Sequence, residues 1–467
     1  MVNRWALAAL AGLLNGTAFI YLGAVAVVAN VPLLVALGRA PGRLAAAGLG
    51  GLVGLLGGMH IYGILDYGWL LFVGFSLYTA SQMVLYALAF RWLDGRAGRA
   101  FDVLLPALLW TVTEWVRTLG PLAMPASYVG CIADVPALRP WLWLAPWIGG
   151  LGVSGLVGLT QSAVFHLVAR RRSHARPALV ALGGVLVAGA LSPTPPLGER
   201  TLQVVGVQGG LANAQYQAAQ IDALARRDIV QTYATLTRQA FAWHPDLVVW
   251  PETALRLDVL GDATLRALLA PPPGGPVLLA GLLHREGGQA WNLAVALGPG
   301  GQELGRYAKV RTVPRTEDYL TRGTDRRPIA TPVGAIGVLI CLESVYPDAG
   351  RDTTRAGAEI LAIMSNDAGF GRSPITKHMT ARAIVRAVEN GRWLIRVGQA
   401  GITTLIDPRG ERHGGLGLFE PGLVRGEARL RTDLTWATRW PDLWIGLCGV
   451  TLLLGVLAAR RGARAPG

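Results

Sequence analysis

The ten residues Val338 to Pro347, VLICLESVYP, decide how this chain is read. An apolar run from Ala335 to Ile340, with Gly337 inside it, predicts a buried strand that delivers Cys341 and Glu343 at its C-terminal end, just ahead of Pro347. A cysteine at the tip of a buried strand is a natural place for a nucleophile. Free cysteines are also among the most buried residues and often serve only as small apolar filling. Residue type and position leave both readings open.

Composition narrows the class of protein. The chain has 467 residues, of which 52% are hydrophobic and 15% charged, which is too apolar for an ordinary soluble protein. The formal net charge of +14 points toward nucleic acid, but no nucleic-acid-binding motif accompanies the scattered basic residues. Cys131, Cys341 and Cys448 lie too far apart to suggest a disulfide framework, and the seven dispersed histidines contain no HExxH, so neither a metal nor a cofactor is expected. Lysine occurs only at Lys309 and Lys377 among 43 basic residues. Where arginine otherwise supplies the cations, a retained lysine hints at a need for a compact ammonium or a titratable amine.

Upstream of residue 192 the pattern is that of a membrane protein. Apolar stretches at Trp5–Ile20, Leu22–Leu37, Leu44–Leu65, Trp69–Leu93, Val103–Val116, Ala145–Val168 and Pro177–Leu191, with Leu443–Ala459 near the end, predict eight spanning helices. Basic residues concentrate in alternate connections: Arg39 and Arg43, then Arg91, Arg96 and Arg99, then Arg170, Arg171, Arg172 and Arg176, and finally Arg460, Arg461 and Arg464. By the positive-inside rule both termini face the cytoplasm and residues 192–442 face away from it. Glu114 falls within a span, where Arg117 three residues on can pair with it.

Beyond the Pro-rich hinge Ser192–Pro196 the pattern turns into that of an α/β domain. Strands are predicted at Leu202–Val207, Leu247–Trp250, Val277–Leu282, Ala294–Leu297, Ala335–Ile340, Ile360–Met364 and Leu394–Val397, with helices over Gln217–Trp243 and Thr376–Asn390. The organisation expected is residues 1–191 as transmembrane helices, 192–442 as an extracytoplasmic domain of sheets covered by helices, and 443–467 as a closing helix with a basic tail.

Two more element ends join Cys341. Leu247–Trp250 runs into Pro251 and Glu252, and Tyr307–Pro314, YAKVRTVP, carries Lys309. An acid, an amine and a thiol are the parts that acyl transfer through a covalent intermediate requires. Their order resembles the nitrilase, or carbon-nitrogen hydrolase, superfamily. With the spans included, the chain resembles its apolipoprotein N-acyltransferase family over nearly its whole length. The stretches that carry the likeness are PALLWTVTEWVR (Pro106–Arg117), VVGVQGG (Val204–Gly210), VVWPETA (Val248–Ala254), RYAKVRTVP (Arg306–Pro314), ICLES (Ile340–Ser344), SNDAGFG (Ser365–Gly371) and GITTLIDPRG (Gly401–Gly410).

The resemblance implies a bundle of transmembrane helices with a nitrilase-like αββα sandwich. It implies Glu252 as general base, Lys309 as oxyanion partner and Cys341 as nucleophile, with Glu317 and Glu343 as supporting carboxylates. From its place two residues beyond Cys341, Glu343 is expected either to orient Lys309 or to form a plain salt bridge. The resemblance also implies a phospholipid acyl donor, an apolipoprotein N-terminus as acceptor and a seat in the bacterial inner membrane. The chain departs from the family where Arg315 and Thr316 replace Phe-Gly before Glu317. Gly369 stands for a tryptophan after SNDA, and a second tryptophan gives way to the region around Tyr216 and Gln217. The lid segment between the Lys and Cys motifs is short. A membrane-anchored amidase or other acyltransferase of the superfamily fits the same triad, and a scaffold or transporter with a degenerate outer domain is the reading from another class.

Overall fold

In the computed structural model, which describes residues 3–119, 127–192 and 196–462, the decisive run is a strand, Gly334–Ile340, ending at Cys341. Two compact units divide the chain: Met1–Pro193, Ser373–Ala381 and Trp440–Gly467 in one, Thr194–Arg372 and Arg382–Arg439 in the other. Most of the Pro-rich hinge (193–195) and Arg464 lie outside the described residues.

The first unit is helical. Among the described residues five helices are long and apolar enough to cross a membrane: Arg43–Leu65, Trp69–Leu93, Ala145–Val168, Arg172–Leu191 and Leu443–Arg461. The other three expected spans differ for local reasons. Arg4–Ile20 is a 17-residue helix, and Leu22–Leu37 breaks into a 3-10 turn, Gly23–Val27, and a seven-residue helix, Val31–Leu37. The helix Arg99–Arg117 buries Asp102, Glu114 and Arg117, which dilute its apolar character. Close packing rests on small residues, as is usual between helices in lipid. A Cβ on Gly54 would lie 2.5 Å from the Cα of Ala80 on the neighbouring helix. Glu114 and Arg117 are tied into this packing. The Glu114 carboxylate accepts from Trp110 Nε1 and from the Tyr128 N–H, each at 2.7 Å. Arg117 Nε donates to Gln82 at 2.6 Å, and its guanidinium lies over the Trp110 ring.

The second unit contains two six-stranded sheets. The strands are β1 (Arg200–Gln208), β2 (Leu247–Val249), β3 (Val277–Glu286), β4 (Gln289–Leu297), β5 (Glu303–Ala308), β6 (Ile329–Thr331), β7 (Gly334–Ile340), β8 (Ile360–Ser365), β9 (Leu394–Gly398), β10 (Thr403–Ile406), β11 (Arg412–Leu416) and β12 (Gly422–Leu430). One sheet is ordered β12-β1-β2-β3-β4-β5, the other β11-β10-β9-β8-β7-β6. In each, three central strands run parallel, β1-β2-β3 and β7-β8-β9, and their flanking partners are antiparallel.

Alternation along the strands explains the layers. Leu202 and Val204 of β1, Leu247 and Val249 of β2, and Val338 and Ile340 of β7 share one core between the sheets. Their neighbours Val205, Val207, Val248 and Trp250 pack with Ile229, Tyr233 and Ala234 of the helix Ala223–Phe241. Strands buried on both faces read as unbroken apolar runs, which is why they stand out in the sequence. The helix expected over Gln217–Trp243 is two, Asn213–Ile221 and Ala223–Phe241, because the Asp222 side chain accepts from the Leu224 N–H and starts a new N-terminus.

Candidate active site

The site is assembled from the C-terminal ends of strands. After β2 the chain passes Pro251 to Glu252, and Thr253 takes a left-handed φ of 45°. Gly281 on β3 makes this approach possible, since a Cβ there would run into the Pro251 carbonyl. Lys309 follows directly on β5, and its backbone N–H donates to the Asn292 carbonyl at 2.9 Å. Cys341 follows β7 with φ 51°, a conformation that disfavours any side chain with a Cβ, and opens the 3-10 turn Cys341–Val345. The Ser344 hydroxyl donates to the Cys341 carbonyl at 2.8 Å and closes that turn.

The three carboxylates expected at the site, Glu252, Glu317 and Glu343, converge on Lys309 and the residues beside it. Lys309 Nζ, 1% exposed, donates to Glu252 Oε1 and to Glu317 Oε1, each at 2.8 Å. Glu252 Oε1 also accepts from Asn292 Nδ2 at 2.7 Å, and its Oε2 from the Asn366 N–H at 2.8 Å. Glu317 Oε2 accepts the Val313 N–H at 2.7 Å, so Glu317 holds the ammonium and closes the turn behind it. Glu343, expected to orient Lys309, bonds to the groups around that residue. It makes no hydrogen bond to Lys309 among the described residues; the Tyr307 hydroxyl donates to it, as do the N–H groups of Val310, Arg311 and Ile340, at 2.8–3.1 Å. It therefore fastens the backbone just after Lys309, and the Tyr307 side chain before it, to the backbone just before Cys341.

Charge follows from these contacts. Burial works to raise the Glu252 carboxyl, but the Lys309 charge, with the hydrogen bonds from Lys309, Asn292 and Asn366, outweighs it and holds the group below its ordinary value. Burial pulls the Lys309 ammonium down, and the charges of Glu252, Cys341 and Glu317 carry it well above the ordinary lysine value. Burial, then the Glu252 charge, push the Cys341 thiol far up, only partly countered by Lys309. At rest the site holds a carboxylate, an ammonium and a neutral thiol that are close enough to feel one another. Of the two roles that a retained lysine suggests, the ammonium is the one these surroundings favour.

The departures from the family pattern have identifiable surroundings. Arg315 is exposed with a left-handed φ of 67°. Gly369 sits in the 3-10 turn Ala368–Phe370. Tyr216 is buried, donates to the Ala254 carbonyl at 3.0 Å just beyond Glu252, and carries the Arg256 guanidinium over its ring, whereas Gln217 is exposed. Asn292, Tyr307 and Asn366 were not singled out by residue pattern; Asn292 is one polar residue in the strand QAWNLAVAL, and its role emerges only from the pairing of β4 with β5. Asp407, Glu411 and His413 bring possible metal-ligating atoms within 4.8 Å of one another, but Asp407 is occupied by its own turn and by His413.

The chain is similar to several known proteins. The carbon-nitrogen hydrolase family model matches residues 212–432. Solved structures similar to part of the chain include a carbon-nitrogen hydrolase from Helicobacter pylori G27, at 21% identity and a TM-score of 0.41, covering 52% of this chain and 94% of that one. Over longer spans the chain is similar to the apolipoprotein N-acyltransferase of Geobacter metallireducens, 28% identical across 93% of this chain and 91% of the relative, and to that of Gloeobacter violaceus, 29% identical across 93% and 90%. The enzyme of the same name from Brucella melitensis is 30% identical across 79% of this chain and 74% of its own length. Likeness at that level, over helical and catalytic regions together, makes this chain a member of the apolipoprotein N-acyltransferase family.

Proposed function

We propose that the protein moves a fatty acyl group from a membrane phospholipid, through a thioester on Cys341, to the α-amine of a diacylglyceryl-cysteine at an apolipoprotein N-terminus. The observation that carries the reading is the buried bond between Lys309 and Glu252 beside the strand end that presents Cys341. Glu252, already a carboxylate, takes the thiol proton as sulfur attacks the ester carbonyl, because the thiolate is the reactive form. Lys309 keeps its proton and steadies the oxyanion, a contribution of about 3 kcal/mol for a donor of this kind. The lysophospholipid alkoxide leaves with the proton held by Glu252, and Cys341 retains the acyl group. The incoming amine then loses a proton to Glu252 as its nitrogen displaces the sulfur, and the thiol is restored.

The membrane arrangement belongs to the same reading. Residues 1–191 and 443–467 supply the membrane helices, both termini lie in the cytoplasm and 192–442 faces outward at the bacterial inner membrane, as the arginine distribution supports. An acyl ester already in the bilayer then drives the reaction without a soluble energy source. Incubating purified protein with a phospholipid labelled in its acyl chains and a synthetic diacylated lipopeptide tests the proposal. Labelled, N-acylated lipopeptide is expected, with a thioester trapped on Cys341 when the acceptor is left out. Hydrolysis of a small amide with no transfer to the lipopeptide would instead identify the amidase.

A further inference from the structure

Behind Glu252 lies an ion pair that the catalytic steps do not use. Arg396 on β9 and Asp367, just after β8, are both fully buried, and Arg396 donates to Asp367 Oδ2 at 2.6 Å. The other end of the guanidinium donates to the Ile402 carbonyl at 2.5 Å, and the Ser365 hydroxyl donates to Asp367 Oδ1 at 2.6 Å. The residue between Ser365 and Asp367 is Asn366, whose N–H donates to Glu252 Oε2 at 2.8 Å. The pocket for the Asp367 carboxylate is shaped by glycine: a Cβ on Gly401 would strike that carboxylate, and one on Gly398 would approach it to 3.1 Å.

We propose that the Asp367–Arg396 pair is a positioning pair for the general base, fixing the Ser365–Asp367 turn so that the Asn366 N–H stays aimed at Glu252. The inference rests on Glu252 acting as that base. Lys309 and Asn292 both approach Glu252 Oε1. The Asn366 N–H is therefore the hydrogen bond that sets the rotation of the carboxylate through Oε2. A buried ion pair is weak evidence of added stability, because desolvation offsets most of its attraction. Here it bridges two strands at the point where one backbone N–H must be aimed. Asp367 is also close enough for its charge to act on the Cys341 thiol.

Two substitutions keep every charge and disturb only the geometry. Arg396→Lys retains the cation but cannot span Asp367 and the Ile402 carbonyl together. Gly401→Ala pushes on the Asp367 carboxylate from outside the pair. Both are to be read by the rate of thioester formation on Cys341 against pH, with the KM for the phospholipid and the thermal midpoint measured alongside. The groups facing Glu252 are Lys309, Asn292, Asn366 and Cys341, with Glu317 acting through Lys309, and neither substitution replaces any of them.

Loss of the Asn366 hydrogen bond removes something that favours the ionised carboxyl, so the acid limb of kcat/KM is expected to move to higher pH. The plateau should fall between about ten- and a hundred-fold with KM little changed. A folded Arg396→Lys protein with the wild-type acid limb and plateau overturns the proposal, even if its midpoint falls. Should Arg396→Lys fail to fold, Gly401→Ala decides by the same criterion. Thioester formation that survives Glu252→Gln would refute the role of Glu252 itself, a separate failure from that of the pair.

Discussion

Lys309 Nζ lies 2.8 Å from Glu252 Oε1, with both side chains almost wholly buried, so that the base and the oxyanion partner of the proposed reaction are also each other's counter-charge. Lys309→Met would leave Glu252 and Glu317 as buried carboxylates without their shared cation. Breaking a buried pair from one side costs roughly 3–5 kcal/mol of stability. The variant is expected to lose thioester formation by a factor of about a hundred or more and to unfold at clearly lower temperature. Lys309→Arg should not rescue activity, because a planar guanidinium cannot occupy the ammonium's place between the two carboxylates. Intact-protein mass spectrometry and a thermal melt check both statements, and full activity in Lys309→Arg would refute the demand for a compact cation.

The shifts at Glu252 and Cys341 set the pH behaviour. Glu252 is held below its ordinary value, so its contribution to stability is present above the unfolded value of about 4.5 and is lost as pH falls through the lower folded value. The acid limb of thioester formation should therefore lie below about pH 4.5 if the fold survives there. Cys341 is pushed the other way, so alkylation of the resting enzyme by iodoacetamide should stay slow well past the pH at which a free thiol reacts. An alkylation midpoint near pH 8.5, the ordinary thiol value, would contradict the neutral resting thiol.

Much of this is legible in the residues alone. β1, β2, β3, β7, β8 and β9 each carry a largely apolar run buried on both faces and announce themselves, and the ends of β2 and β7 carry Glu252 and Cys341. The strands that went unread lie toward the sheet margins. β11 is RHGGL with four of its five residues exposed and shows no apolar face, and β12 alternates Val424, Ala428 and Leu430 with Arg425, Glu427 and Arg429, but Gly426 and the short side chain of Ala428 leave that apolar face weak. Lys309 stands out through the scarcity of lysine rather than through its surroundings. Asn292 and Arg396 matter through neighbouring strands, and Tyr307 through Glu343 beyond a strand of the other sheet, relations that one strand's sequence does not contain. The membrane spans were read by apolar length alone, and the buried Asp102, Glu114 and Arg117 show what that measure overlooks.

Glu343 joins the two strand ends that carry Lys309 and Cys341. Glu343→Gln keeps the shape but turns an amide toward Tyr307 and three backbone N–H groups that all need an acceptor. Each donor left unsatisfied costs about 1–3 kcal/mol. A lower thermal midpoint is expected, together with faster alkylation of Cys341 as its turn loosens and a reduced rate of acyl transfer. A variant with the wild-type midpoint and slower chemistry alone would mean that Glu343 acts on the reaction directly rather than through the backbone.

The left-handed backbone at Cys341 allows strain and chemistry to be separated. A residue with a Cβ held at φ 51° stores about 1–2 kcal/mol relative to glycine, which adopts that conformation freely. Cys341→Ser keeps the strain and supplies a weaker nucleophile, whereas Cys341→Gly relieves the strain and removes the nucleophile. Both are expected to lose the thioester. Cys341→Gly should nonetheless melt at a temperature equal to or above that of Cys341→Ser, despite leaving the side-chain space empty. A small thiol side chain gives up little apolar contact, so the release of backbone strain should prevail. If Cys341→Gly instead melts clearly below Cys341→Ser, the strand end is not strained in solution, and the turn that presents the sulfur is held by side-chain packing.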